Sequence, residues 1–186
     1  MNMDLRLGFL VCIGLPLVLP TCDVGWTEYK ENCIWFSQGQ KAWNDAEADC
    51  RSKASWLLTD DSEGKHDFLG TILNVLRGRG ITEWFIGATD YTFEGSFRWL
   101  ETGSAIGSFT KWAPGQPNGT NIENCLSLKW IGRELLWEDE KCSSRGRREV
   151  RKNHTHVHHT RPPPVGMYNY ICETRNVDHN SGPVVG

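Results

Sequence analysis

The sequence lacks a hydrophobic run long enough to cross a membrane as a helix. Its main apolar stretch covers residues 7–19, which is 13 residues, whereas a membrane-spanning helix needs about 20. The chain also lacks an excess of either charge, because 20 basic residues oppose 23 acidic ones among 186. We therefore expect no membrane span and no nucleic-acid partner.

The chain also lacks the short motifs that mark common enzyme classes. It contains no GxSxG, HExxH, Walker or dinucleotide-binding pattern, so the residues for those forms of catalysis are missing. No two cysteines stand at CxxC or CxxxxC spacing, which argues against a zinc site built from cysteine. We expect a protein that is not an enzyme.

The apolar stretch at residues 7–19 instead has the features of a secretory signal. Arg6 and the free amine precede it, and its length is typical of the apolar centre of such a signal. Pro16 and Pro20 disfavour the alternative, a buried core helix. We predict that residues 1–21 are a signal peptide and that the mature protein is secreted and extracellular.

Cysteine and tryptophan are abundant, with seven and nine residues in a chain whose mean hydropathy is −0.47. This composition is typical of an exported, crosslinked module with an aromatic core. Removal of the signal removes Cys12 and leaves an even number of cysteines, which predicts three disulfides whose pairing the count leaves open. The six are Cys22, Cys33, Cys50, Cys125, Cys142 and Cys172.

The spacing of apolar residues predicts two helices followed by a group of strands, which is an α+β domain. Ser37 and Gln40 stand at capping-box spacing and predict the start of the first helix. The second helix is predicted to begin at about Ser62 and to end at Gly78 and Gly80. Residues 102–124 are rich in Gly, Ser, Pro and Asn, and they predict a long functional loop.

Several motifs in and around this loop resemble one known family. They are Trp84-Phe85-Ile86-Gly87, Trp112-Ala113-Pro114-Gly115-Gln116-Pro117-Asn118, Glu123-Asn124-Cys125 and Trp137-Glu138-Asp139. Together with the spaced cysteines, they resemble the C-type lectin-like domain, from Cys22 to about Glu173. The resemblance implies that family's fold, two helices plus antiparallel strands, with Trp112, Trp130 and Trp137 in the core rather than stacked on a sugar.

The resemblance also implies the crosslinks and the domain limits. The implied disulfides are Cys22–Cys33, which marks the long form of the domain, Cys50–Cys172 and Cys125–Cys142. The expected domain covers residues 22–175, and residues 176–186 form a flexible tail. Residues 144–166 are a basic, histidine-rich insertion that we predict to be a solvated loop, although an anionic glycan, a mineral surface or a chelated metal are alternatives for its role.

A calcium site in the long loop is a further implication of the resemblance. Calcium takes about six to eight oxygen ligands, so a site with few protein ligands leaves room for sugar hydroxyls. Pro117 stands where the family has a cis peptide bond. By position, the ligands of Ca²⁺, which are also the carbohydrate-binding residues, are Gln116, Asn118, Glu123, Glu138 and Asp139.

The site departs from both sugar-binding codes of the family. The triplet Gln116-Pro117-Asn118 is a hybrid of the mannose-type Glu-Pro-Asn and the galactose-type Gln-Pro-Asp. Glu138 replaces the usual asparagine, so the site keeps three formal negative charges. One sugar hydroxyl would meet two amides and the other two carboxylates, which separates donors from acceptors. We expect calcium binding with an unusual sugar preference, mannose-type or galactose-type being unresolved.

These features predict a calcium-dependent lectin that recognises surface glycans, in host defence or the extracellular matrix. The alternative is a calcium-independent domain that binds a protein or a mineral. A second calcium position would fall on Asp90, Glu94 and Asn124, although a polar turn is the favoured interpretation of the first two. A homo-oligomer is compatible with the sequence.

Overall fold

A computed structural model describes residues 22–118, 122–142 and 166–176. The predicted signal peptide, most of the insertion and nearly all of the predicted tail lie outside these ranges. Within them, the predicted α+β class is confirmed, with two helices and a mixed sheet. None of the helices in these ranges combines the length and the apolar character that a membrane crossing requires.

The secondary-structure elements follow the predicted order, with the helices before most of the strands. The helices are α1 (Trp43–Ser52) and α2 (Glu63–Arg77). The strands are β1 (Thr27–Tyr29), β2 (Asn32–Phe36), β3 (Trp56–Leu57), β4 (Glu83–Thr89), β5 (Arg98–Trp99), β6 (Cys125–Ile131), β7 (Glu134–Glu140) and β8 (Asn169–Arg175).

The sheet runs in the order β1-β2-β8-β4-β6-β7, and β3 and β5 pair with β8 and β4. The prediction of antiparallel strands needs one correction, because β4 and β8 are parallel, with Trp84 opposite Asn169 and Phe85 opposite Tyr170. Parallel neighbours need a long connection. Here β5, β6 and β7 lie between them in sequence, which brings the last strand back to the middle of the sheet.

The predicted capping box at the start of α1 is wrong. The helix begins at Trp43, and its N-cap residue Ala42 has no side chain that can cap. The Ser37 hydroxyl instead accepts a hydrogen bond from the backbone N–H of Tyr170 in β8, at 2.8 Å. A tertiary hydrogen bond has thus taken the side chain that the local pattern assigned to the helix.

The three implied disulfides are present, Cys22–Cys33, Cys50–Cys172 and Cys125–Cys142. The second joins α1 to β8, and the third joins the start of β6 to the residues after β7. Trp137 is fully buried, and the rings of Trp99, Phe109 and Trp112 meet it edge-on. Trp112 and Trp137 therefore belong to the core, and their contacts hold the long loop against β7.

The buried face of α2 contains polar as well as apolar residues. Leu69 and Leu73 are fully buried, and Lys65 and His66 are also buried. The Lys65 ammonium donates to Glu173 at 2.8 Å, and the His66 ring lies 2.7 Å from Asp60. Buried polar groups of this kind are tolerated because each has a partner.

Candidate functional site

The long loop is attached to strand β7 by backbone hydrogen bonds. The N–H of Ala113 donates to the carbonyl of Trp137 at 2.9 Å, and the N–H of Trp137 donates to the carbonyl of Lys111 at 2.7 Å. The peptide bond between Gln116 and Pro117 is cis. The loop therefore passes directly beside the strand that carries Glu138 and Asp139.

Three of the five predicted ligands come together at this point. The backbone N–H of Asn118 donates to Asp139 Oδ2 at 2.9 Å, and its side-chain amide donates to Glu123 Oε2 at 2.8 Å. Asp139 is only 3% exposed, since it follows Trp137 on the buried side of β7. We call Gln116, Asn118, Glu123 and Asp139 the loop site.

One buried amide oxygen of the loop site accepts no hydrogen bond from the residues that the structure describes. It is Oε1 of Gln116. An unsatisfied buried acceptor costs about 1–3 kcal/mol. A cation that takes oxygen ligands would satisfy such acceptors, and carboxylates with amide oxygens are the donor set that calcium prefers. The residues of the loop site therefore fit a calcium ion.

The structure directs the fifth predicted ligand, Glu138, elsewhere. Side chains alternate along a strand, and β7 pairs regularly with β6 along its whole length. Glu138 therefore leaves the strand on the side opposite to Trp137 and Asp139. Its carboxylate lies 2.5 Å from the ammonium group of Lys129 on β6.

Lys129 is the centre of an acidic cluster that the sequence did not predict. Its ammonium lies 3.6 Å from Glu83, 2.5 Å from Glu138 and 3.8 Å from Glu140, and the three carboxylates lie within 4.8 Å of one another. We call these four residues the sheet cluster. The only signal that would have found it is strand register, which places Glu83 opposite Lys129 and Glu138 opposite Ser127.

Burial and mutual repulsion shape the electrostatics of the sheet cluster. Burial, followed by the charge of Glu140, raises the pKa of Glu83 to about 7. Burial also raises the pKa of Glu140, whose carboxylate is hydrogen-bonded to Tyr168. Burial by itself would lower the pKa of Lys129, but the hydrogen bond to Glu138 and the nearby carboxylates outweigh it and raise that pKa. The lysine thus stays charged and compensates the acids.

Two residues of the second calcium position, Asp90 and Glu94, belong to a turn, and the third, Asn124, lies just before β6. The N–H of Asp90 donates to the carbonyl of Asn124 at 3.3 Å, and its carboxylate accepts from the N–H of Gly95 at 2.8 Å. Glu94 is exposed at the tip of this turn. The Gly95 contact is the one expected for the polar turn before Phe97, whereas Oδ1 of Asp90 and Oδ1 of Asn124 are buried and accept no hydrogen bond from the described residues.

A family model and a related protein both match this chain. A family model described as the lectin C-type domain matches residues 39–147. The perlucin-like protein of Mytilus galloprovincialis is 32% identical over 124 residues, which is 66% of this chain and 77% of that protein.

Two solved structures show the similarity of the fold. The carbohydrate-recognition domain of the mouse scavenger receptor C-type lectin is 23% identical with a TM-score of 0.62, covering 84% of this chain and 98% of that chain. A calcium-independent type II antifreeze protein is 18% identical with a TM-score of 0.62, covering 83% and 95%. At these identities, the likeness concerns the fold alone.

Proposed function

Because the chain belongs to the C-type lectin domain family, we propose that it is a secreted, calcium-dependent lectin that binds glycans at the loop site. The observation that carries this proposal is the meeting of Asn118, Glu123 and Asp139 beside the cis peptide bond at Pro117. The buried acceptor oxygen of Gln116 supports the same conclusion. This is a binding function rather than a catalytic one.

The residues that would hold calcium are the four of the loop site. When bound, calcium supplies open coordination positions that oxygen atoms of a sugar can fill. Asn118 and Glu123 would then orient the sugar, because the Asn118 amide N–H would donate to one coordinated hydroxyl and the Glu123 carboxylate would accept from the other. Their side chains are already in contact at 2.8 Å, so the two hydroxyls would replace a bond that exists without them.

The sugar class is tested by binding to a glycan array with calcium and with a chelator. We expect binding in calcium alone, and we expect Asp139→Asn to abolish it. Asp67→Asn is the matched control, because Asp67 is an exposed aspartate on α2, away from the loop site. Equal binding with calcium and with chelator would contradict the proposal.

The alternative function is a domain that binds a protein or a mineral without calcium. The likeness to a calcium-independent antifreeze protein supports it, because the same fold occurs in a protein described in those terms. Thermal unfolding separates the two proposals. A ligand that binds only the folded state raises Tm, so an unchanged Tm on addition of calcium would favour the alternative.

A further inference from the structure

We propose that Lys129 is a positioning residue that holds the Glu138 carboxylate outside the calcium site. The loop site then contains two carboxylates, Glu123 and Asp139, instead of the three that the sequence places there. This inference rests on the proposed function, since it concerns the ligand set of the same site. Lys129 on β6 then influences the calcium affinity of the loop site. None of its described hydrogen bonds reaches that site.

The first support is the geometry of the β6–β7 pair. Glu138 is opposite Ser127, and Lys129 is opposite Leu136. Glu138 and Lys129 are therefore diagonal neighbours on one face of the sheet, within reach of long side chains. Their charged atoms are 2.5 Å apart, the shortest of the three contacts that Lys129 makes with carboxylates.

The second support is burial. The side chain of Glu138 is 15% exposed and that of Lys129 is 33% exposed, so water screens this pair less than it screens a fully exposed one. Breaking a largely buried pair leaves uncompensated charge. Glu138 would therefore lose its counterion if it turned toward the loop, and Lys129 would lose its nearest carboxylate.

The third support is the residue type at position 138. The charged side chain of Glu138 meets the ammonium of Lys129, whereas an uncharged side chain would offer no charge for the lysine to attract. The charge of Glu138 is thus compensated within the sheet cluster.

The consequence is weaker binding of both calcium and sugar at the loop site. Affinity for calcium decreases when the site has fewer charged ligands. The sugar hydroxyl that would lie between positions 123 and 138 keeps only Glu123 as its acceptor. The sequence suggested that this hydroxyl would meet two carboxylates. With Glu138 held by Lys129, it meets one.

The first experiment measures calcium binding by titration calorimetry on the full chain, with Glu138→Gln and Glu123→Gln compared. If Glu138 lies outside the site, Glu138→Gln changes the calcium Kd by less than about twofold, while Glu123→Gln weakens it by about tenfold or more. An equal loss in the two variants would overturn the inference. This result needs no change at Lys129 and so does not depend on how well a lysine variant folds.

The second experiment removes the lysine. Lys129→Met should release Glu138 and strengthen calcium binding severalfold at an unchanged stoichiometry, and the gain should vanish in the double variant Lys129→Met with Glu138→Gln. Lys129→Arg, which keeps the charge, should behave as the parent. A second bound calcium in Lys129→Met would mean that the sheet cluster itself had become a site, and it would overturn the inference, as would no gain.

These results also separate this inference from the proposed function. If the parent binds no calcium but Lys129→Met binds one that Asp139→Asn removes, the proposed calcium-dependent function is wrong and the role of Lys129 stands. If neither protein binds calcium, both are wrong. If the parent binds calcium through all five predicted ligands, the proposed function stands and the role of Lys129 is wrong.

Discussion

The two faces of β7 carry acidic groups that differ in how their charge is balanced. The loop site uses Asp139 and Glu123 with the amides of Gln116 and Asn118, and the buried Oε1 of Gln116 accepts no hydrogen bond from the described residues. The sheet cluster places three glutamates around Lys129. The sheet cluster has more acidic residues than the loop site, and it also contains a cation, Lys129. Compensation by a cation, rather than the number of acids, therefore distinguishes the two groups.

A single strand supplies both groups because its side chains alternate. Asp139 is nearly inaccessible on one side of β7, whereas Glu138 and Glu140 lie on the other side. A shift of one residue in the β6–β7 register would exchange the two sets. The disulfide between Cys125 and Cys142 closes this hairpin and limits such a shift.

Removal of that disulfide should give the largest effect, because it supports both groups at once. Replacing Cys125 and Cys142 together by alanine should lower the free energy of unfolding by about 3 kcal/mol, as expected for a closed loop of this size. Urea unfolding followed by tryptophan fluorescence measures the change. A stability equal to that of the parent would show that strand pairing alone holds the hairpin.

Neutralising one acid on each face of β7 should give the next largest effect. At a calcium concentration of about 100 times Kd, the parent should gain about 2.7 kcal/mol of stability. Asp139→Asn should lose this gain, and Glu140→Gln, its neighbour on the other face, should retain it. Thermal unfolding with calcium and with chelator measures both. Loss of the gain in the two variants alike would mean that the faces are not independent.

An added charge at the loop site should have a smaller effect of opposite sign. Gln116→Glu adds a carboxylate where the buried amide oxygen has no donor among the described residues, so we expect the calcium Kd to fall by about tenfold, or about 1.4 kcal/mol. Asn74→Asp on the exposed side of α2 is a control for net charge. A tighter Kd in both variants would attribute the change to the overall field instead of the site.

The smallest effect is expected for an acid outside both groups, Asp49 on α1. Burial by itself would raise its pKa, but hydrogen bonds from Lys53, Tyr170 and Lys41 outweigh this and lower the pKa from 3.8 to about 2. Its contribution to stability is therefore present above about pH 4 and is lost as the pH falls through about 2.

Asp49→Asn should accordingly lower Tm slightly at pH 7. The difference from the parent should shrink between pH 4 and pH 2, and calcium binding should be unchanged at neutral pH. Thermal unfolding across this pH range measures the difference. A Tm difference that stays constant down to pH 2 would show that the carboxylate charge does not contribute.

Most of the fold was predictable because its signals are local. The apolar spacing of α2 and the alternation in β6 were readable from short windows, and the observed helix Glu63–Arg77 begins one residue after the predicted Ser62. The start of α1 was not predictable in this way. Ser37 has the residue type of a cap, but its hydroxyl bonds to Tyr170, which is more than a hundred residues away.

The candidate site also has a part that was predictable from the sequence and a part that was not. Asn118 and Glu123 are close in sequence, and the resemblance that rests on their two motifs implied that they act together. Glu83 and Lys129 are 46 positions apart, and the residues next to each of them in sequence do not indicate that the two side chains meet. The direction of β8 was also missed, because alternation in a strand is the same in parallel and antiparallel sheets.

The sequence by itself determined the α+β class, the number of crosslinks and the position of the long loop, because each depends on residue type and spacing along the chain. Only the tertiary structure decided that β8 runs parallel to β4 and that Glu138 meets Lys129 instead of the loop. The physical reason is that a side chain takes the partner that folding brings nearest. For Glu138 that partner lies on a neighbouring strand, whereas for Asp139 it lies in the loop.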